Sequence, residues 1–509
     1  MPMSTAIRDV SKLLSGNLLA KTFGLIALML FARLLPKSQM AVFPVYLVLI
    51  GLPDTFVGLG ILQTLVRRLP SLIREDAVRA RSLVLTGSAI LLAGCTLLCL
   101  LAAPFSDRIA DYFFRDPAQA WIIQAFLIAC VGAVCSKIAD ALLWGMGRFG
   151  AISLIQILES VIRPVMTVVL YFLFGLKGIV AGLVAAQTVM VAVSFFFVKD
   201  IFLGALPPLY PIRQLLRESF PFYVDNYLWY LKGEGDTLLV ALLGPLALAE
   251  YYIAKNLYSN VVLIWTSIDR VALERLARLA TSPAGFRDRI ERLHTRISEF
   301  ALPVVLSVIA VAPYGVIALA SIRYTSATWP AVVLLFAALI QFAAIPVNRG
   351  VFVGLPGTYR LAVSGVEAVT VVATALCLVP IAGIMGIAVA RAVGPAAGAV
   401  AAFIVLRRTF SMSLSWSSTL RSLAAAAPPT LLILAVQPAA QNSFQAVAYG
   451  AAFGLLWLGL FVALSMVFNR PFAERSFAEI RSGIQIGWAR LFAQSRQTYP
   501  ERPGDAREI

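Results

Sequence analysis

Apolar runs of roughly 20 residues follow one another along almost the whole chain, each the length of a helix that crosses a bilayer. That pattern leaves few folds open. Of 509 residues, 60% are hydrophobic and only 13% charged, too few charges to clothe a soluble domain of this size. The alternating strands of a transmembrane β-barrel do not occur in the sequence. The expected class is an all-α polytopic membrane protein. About fourteen crossings are expected, at 14–35, 41–66, 82–103, 119–143, 150–173, 177–198, 219–243, 247–269, 298–320, 327–348, 359–380, 383–406, 419–438 and 445–468. The first run is full length and lacks a small-residue cleavage site, so no cleaved signal peptide is expected.

Orientation follows from the loops. Arg67, Arg68, Arg74, Arg79 and Arg81 fill the second connection, Lys199, Arg213 and Arg217 the sixth, and Arg270 to Arg296 the eighth. Arg407, Arg408, Arg421 and the arginines after residue 469 lie on the same side, and about 30 of the 42 basic residues belong there. Basic loops stay in the cytoplasm, so that side and both termini are expected inside. The net charge of +16 is then a property of loops and indicates no nucleic-acid partner. Residues 270–297 are expected to form one charged helix extending the eighth crossing, with the sole histidine, His294, in a cytoplasmic loop. The tail from Asn469 spaces aromatic and branched residues among arginines, as in a helix lying on an anionic leaflet. Cys95, Cys99, Cys130, Cys135 and Cys377 all sit in apolar runs, as small core residues do.

The chain repeats itself weakly at about 204–208 residues. Leu34-Leu35-Pro36 lines up with Leu242-Leu243-Gly244, Glu159 with Glu367, and Gly182 and Ala186 with Gly386 and Ala390. This divides the chain into 1–200 and 201–410, six crossings each, then an uncharged pair of crossings in 411–468 and a cytoplasmic tail in 469–509.

Charge inside a bilayer-length segment is expensive and needs a partner or a use. In the seventh crossing Asp225, Trp229, Lys232 and Asp236 fall within about 60° on one helical face. Glu234 falls opposite, unless Gly233 and Gly235 break the helix. Glu159 and Arg163 stand four apart, the spacing of a local ion pair. Arg33 is placed to snorkel outward. Structural ion pairs explain each charge singly. Together, Lys21, Arg163, Lys232, Lys255 and Arg391 put cations at membrane depth in both halves. That suits a cavity for a phosphate-bearing or acidic-sugar ligand and ill suits a cationic drug. Asp225, Asp236, Glu159 and Glu367 are candidates for coupling the cycle to protons or sodium. No phosphate-loop motif and no Cys/His cluster occur in the sequence, so neither an enzyme, a metal site nor a cofactor is expected.

Three stretches carry a family resemblance. GNLLAKTFGLIALMLFARLLPKSQMAVFPVYLVL (Gly16 to Leu49) resembles the opening of bacterial polysaccharide flippases. GDTLLVALLGPLALAEYYIAKNL (Gly235 to Leu257) resembles the start of their second half, and ALLWGMGRFGAISLIQILESVIRP their fourth-to-fifth turn. The family is that of the O-antigen and exopolysaccharide translocases in the multidrug/oligosaccharidyl-lipid/polysaccharide superfamily. The resemblance implies two six-helix lobes forming a V around a central cavity, plus two C-terminal helices. It implies transfer of an undecaprenyl-diphosphate-linked oligosaccharide across the bacterial inner membrane by alternating access, with membrane lipids, a polysaccharide polymerase and glycosyltransferases as partners. The five cations are then the candidate substrate contacts. A lipid II flippase and a multidrug antiporter are the alternatives.

Overall fold

A computed structural model describes the backbone of residues 3–203, 207–277, 283–410, 412, 414, 416–470 and 472–474, and the side chains of these apart from residues 3–18, 54, 221, 225 and 263–285. Every regular element among them is helical. The first helix, α1 (Met3–Leu34), is followed by the short α2 (Lys37–Met40), then α3 (Val42–Phe56), α4 (Ile61–Glu75), α5 (Ala77–Ala102) and α6 (Ser106–Phe114). Next come α7 (Ala120–Gly145), α8 (Phe149–Phe174), α9 (Leu176–Phe202), α10 (Ile212–Gly233), α11 (Gly235–Ala241) and α12 (Pro245–Ala277). The chain continues through α13 (Pro283–Ala320), α14 (Thr328–Gly354), α15 (Gly357–Ala382), α16 (Ile384–Phe410), α17 (Trp416–Val436) and α18 (Ser443–Phe468).

Ten helices among the described residues are long and apolar enough to cross a membrane: α5, α7, α8, α9 and α13 to α18. The protein is therefore an all-α polytopic membrane protein. The other four expected crossings fall on α1, on the pairs α3–α4 and α10–α11, and on α12. Large apolar side chains such as Phe172, Phe444 and Leu455 point outward, as they do where lipid rather than water is the neighbour.

Two expected crossings are broken. The second stops at Phe56 and resumes at Ile61, with Leu59 and Gly60 at positive φ. Gly60 is required there, because a Cβ would run into the Ser219 carbonyl of α10. The seventh breaks at Glu234, between Gly233 and Gly235, the alternative that those glycines left open. The helix expected over 270–297 falls partly outside the described residues, at 278–282; α12 is described as far as Ala277, and α13 runs from Pro283 to Ala320.

Packing pairs recur between the halves. In the first, α8 packs on α1 and α9, and α7 on α3–α4 and α9; in the second, α15 packs on α10 and α16, and α14 on α12 and α16. The turn at Gly175 (φ 58, ψ −133) has its counterpart at Gly383 (φ 56, ψ −129). A Cβ on Gly178 would overlap the Leu170 carbonyl, and one on Gly386 would crowd the Leu378 backbone. The spatial register is therefore 208 residues throughout. Gly386 matches Gly178 and not Gly182, which instead lies against Thr167.

The last pair, α17 and α18, packs on α13. His294 lies in that junction and not in a loop: it is buried, 3.0 Å from the Thr419 hydroxyl and edge-on to Trp416. Arg33 is exposed near the end of α1 and donates to the Ala318 carbonyl of α13 at 2.8 Å. The residues of the amphipathic tail from 475 onward lie outside the described residues.

Candidate functional site

Two cavities of about 400 Å³ flank α12. One, here the Lys232 cavity, lies among α10, α12, α14, α15 and α16. The other, the Lys21 cavity, lies among α1, α3, α8 and α12. On α12, Tyr252, Asn256 and Asn260 recur every four residues and face the Lys21 cavity, while Lys255, Tyr258, Ser259 and Val262 face the other. The five expected cations thus divide: Lys21 and Arg163 on one side, Lys232, Lys255 and Arg391 on the other.

The break in the seventh crossing builds the charged wall of the Lys232 cavity. A helix end leaves carbonyls without partners, and here cations take them. Lys255 Nζ donates to the Gly233 carbonyl at 2.8 Å, and Arg391 donates to the Lys232 and Gly233 carbonyls. Just beyond the break, Asp236 sits at the start of α11, fully buried. Its Oδ1 accepts from Lys255 at 3.0 Å and from the Thr237 amide at 2.6 Å, and its Oδ2 from the Tyr251 hydroxyl at 2.6 Å. Arg391 lies 3.5 Å from Oδ2 and over the Tyr258 ring at 5.2 Å. Lys255 also reaches Glu234 at 2.9 Å. A buried charge held from so many directions is a structural keystone, and removing one partner from such a set costs about 3–5 kcal/mol.

Lys232 and Glu367 are different in kind. They pair at 3.0 Å between α10 and α15, each about 20% exposed and both facing the cavity. In the Lys21 cavity Glu159 pairs with Arg163 on α8, as their spacing predicts, and Arg163 also lies over Tyr46. Lys21 lines the same cavity. Asp236 does not share the open face expected for it, because the break turns it inward, and the side chain of Asp225 lies outside the described residues.

Residues missed by sequence reasoning complete the Lys232 cavity. Arg349 and Arg360 approach one ring, Phe352, at 5.2 and 4.4 Å. The basic residues flanking the short Leu355-Pro356-Gly357 connection were the available signal. Asn348 presents a buried Oδ1 with no hydrogen-bond partner among the described residues.

Two contacts join the halves at opposite ends. Lys37 pairs with Glu250 at 2.6 Å at the end expected outside. Arg68 pairs with Glu218 at 2.9 Å at the end expected in the cytoplasm, supported by Gln63 on Asn226 and Thr64 on Ser219.

A family model for polysaccharide biosynthesis proteins matches residues 6–273, just over half the chain. The chain belongs to that family. Among solved structures, it is similar to the lipid II flippase MurJ in an inward closed conformation, at 14% identity and a TM-score of 0.72, covering 90% of this chain and 99% of that one. An inward-facing multidrug resistance MATE family transporter of the MOP superfamily is similar at 14% identity and a TM-score of 0.64, with coverage of 77% and 94%. A Vibrio cholerae MATE transporter follows at 16% identity and a TM-score of 0.54, covering 80% and 99%. These likenesses show a shared fold. No curated protein matches the chain significantly. Membership of this family places the chain in polysaccharide biosynthesis.

Proposed function

We propose that this protein moves an undecaprenyl-diphosphate-linked oligosaccharide from the inner to the outer leaflet of the bacterial inner membrane, for surface polysaccharide synthesis. The observation that carries the reading is the pair of cation-lined cavities at membrane depth, with an inter-half ion pair at each end. In this reading the chain has fourteen crossings, with both termini cytoplasmic. Residues 1–200 and 201–410 are two lobes arranged as a V, and 411–468 adds a further pair. The recurring helix pairs and the matched turns at Gly175 and Gly383 support that division.

Both contacts are made together here; alternating access then consists of releasing one of them while the other holds, so that one end opens at a time. A diphosphate entering the cavities competes for Lys21, Arg163 and Lys232. As it displaces Glu159 from Arg163 and Glu367 from Lys232, each carboxylate loses its cation and becomes able to take up a proton or a sodium ion. Glu159 and Glu367 are the coupling groups in this scheme, while Asp236, Lys255 and Arg391 hold the helix break. Glycosyltransferases that build the substrate and a polymerase that receives it are the expected neighbours.

A second reading is transport of lipid II. The likeness to MurJ over nearly the whole length of both chains favours it. Deleting the gene separates the readings. Build-up of a complete lipid-linked repeat unit on the inner leaflet supports the first, and build-up of lipid II with lysis replaces it with the second. Normal surface polysaccharide with new drug sensitivity would sink both in favour of an antiporter.

A further inference from the structure

On the side expected outside, the connection between α5 and α7 contains α6, a nine-residue helix. Its Ala110, Phe113 and Phe114 are buried, while Asp107, Arg108 and Asp111 are exposed. The helix packs on α7 and reaches across to α11 in the other half. There the Tyr112 hydroxyl donates to the Leu238 carbonyl and Arg115 Nη2 to the Leu242 carbonyl, both at 2.6 Å. The end of α11 makes room for these donors. Its last turn tightens, so that the Leu242 amide bonds to the Leu239 carbonyl and not to that of Leu238, and a freed helix carbonyl needs another partner. Arg115 ends α6 with φ 56 and ψ 29, a left-handed conformation that is uncommon outside glycine and persists where surrounding contacts hold it.

The same kind of contact runs the other way. In the 208-residue register the turn at Leu242–Gly244 corresponds to Leu34–Pro36, and the α5–α7 connection to that between α13 and α14. Beside the first turn, Arg33 donates to the Ala318 carbonyl near the end of α13, and Lys37 lies 5.4 Å from the centre of the Tyr324 ring. Each half thus meets the outer turn of the other with its own outer connection. The two contacts are unequal. Tyr324 is fully buried, in a turn packed on α12, α13 and α14, so that connection is part of the wall. By contrast, α6 holds α11 through two polar bonds near the surface, where water can replace each donor and the net loss on breaking is small.

We infer that α6 is a latch on the outer end: Tyr112 and Arg115 hold the end of α11 while that side is closed, and both bonds break when it opens. The short α11 has Asp236 in its first turn and the latch at its last. A shift of the Lys232 cavity wall around Asp236 is therefore carried to the latch by the helix itself. This rests on the proposed alternating access and adds the element that has to let go for the outer side to open.

The test follows amide hydrogen exchange by mass spectrometry in the full-length protein in nanodiscs. One net hydrogen bond corresponds to about a fivefold change in an opening equilibrium. Tyr112→Phe, which removes only a hydroxyl, and Arg115→Gln should each raise exchange about fivefold in the outer segments 34–44, 238–250 and 318–328. The double variant should raise it about tenfold or more, while the inner segments 61–69 and 212–220 stay within about twofold. Arg115→Lys, which keeps a donor, should lie nearer the unaltered protein. A rise confined to 103–119 would mean a merely local fastening and overturns the inference, as does a double variant that exchanges like the unaltered protein. A matching rise at the inner end, the sign of general loosening, overturns it too. Transport plays no part in this readout, so failure of the wider reading appears separately, as undisturbed lipid-linked sugars in the deletion strain.

Discussion

Helix pairs and turns recur 208 residues apart in this chain, and the two sets differ in what fills them. Positions 208 apart face the two cavities in register: Glu159 and Glu367, Gln156 and Ser364, Gly24 and Lys232, Lys21 and Trp229, Arg163 and Val371. Turns and close helix contacts are kept, because a backbone approach such as that at Gly178 or Gly386 admits no side chain. Charge is not kept. The buried set Asp236, Lys255 and Arg391 corresponds to Leu28, Leu47 and Leu183. The same helix positions therefore carry leucines in one half, with Leu28 and Leu183 buried and Leu47 facing the Lys21 cavity, and an ion network in the other, where the seventh crossing breaks and its freed carbonyls need donors. A repeated fold fixes where backbones meet, while the side chains in the gap remain free to diverge.

That contrast sets the largest expected effect. Asp236→Leu leaves Lys255 and Arg391 without their shared carboxylate, and loss of one partner of such a buried set costs about 3–5 kcal/mol. The triple change Asp236→Leu, Lys255→Leu and Arg391→Leu installs the residues of the first half. Apolar replacement of a whole buried ion set is often neutral, so thermal stability in detergent, followed by size-exclusion fluorescence, should recover most of what the single change loses. A triple variant no more stable than the single one would mean that the cations are needed at the helix break itself.

Smaller losses follow from the shared scaffold. Gly178→Ala and Gly386→Ala each set a methyl group against the backbone of the facing helix, Leu170 in one half and Leu378 in the other. Overpacking of this kind costs about 1–3 kcal/mol. Both should lower the melting temperature, Gly178→Ala by more, because its methyl group meets the carbonyl head-on. Tolerance of either change would break the equivalence of the two helix pairs.

What the sequence disclosed and what it withheld divide along the range of the interactions. Helix positions were legible, since a membrane span is announced by its own twenty residues. The Glu159–Arg163 pair was legible for the same reason, its partners being one turn apart. Lys232 meets a partner 135 positions away and Arg391 donates to a carbonyl 159 away, and no local pattern encodes such a choice. His294 read as a loop residue because its neighbours in sequence are charged, yet its surroundings come from Trp416 and Thr419 on α17. The break near Gly60 had a signal in its glycines, but the reason for it is the Ser219 carbonyl on another helix. Arg349 and Arg360 were visible as a basic cluster, and their meeting at Phe352 needed the fold.

The two ends of the molecule make a last comparison. Lys37 and Glu250 are 27% and 15% exposed, Arg68 and Glu218 48% and 20%, so the Arg68 pair is the more solvated and contributes less. Glu250→Gln should therefore raise the reactivity of a cysteine placed at its end more than Glu218→Gln does at the other. Acidity provides a finer probe. Burial alone would raise the Glu218 carboxyl, but hydrogen bonds from Gln214 and Arg68 and the charges of Arg68 and Arg67 outweigh it and hold the group below its ordinary range. A carboxylate with a lowered folded value keeps its contribution above that ordinary range and loses it only as pH falls through the lowered value. Quenching, by a neutral collisional quencher, of a pH-insensitive fluorophore placed at the Arg68 end should thus be unchanged between about pH 7.5 and 5.5 and rise only in stronger acid, below the ordinary carboxylate value of about 4.3. Gln214→Leu, which removes one of the hydrogen bonds at a cost of about 1 kcal/mol, should move that rise to higher pH while leaving the Lys37 end untouched. A transition near neutral pH in the unaltered protein would show that some other group controls this end.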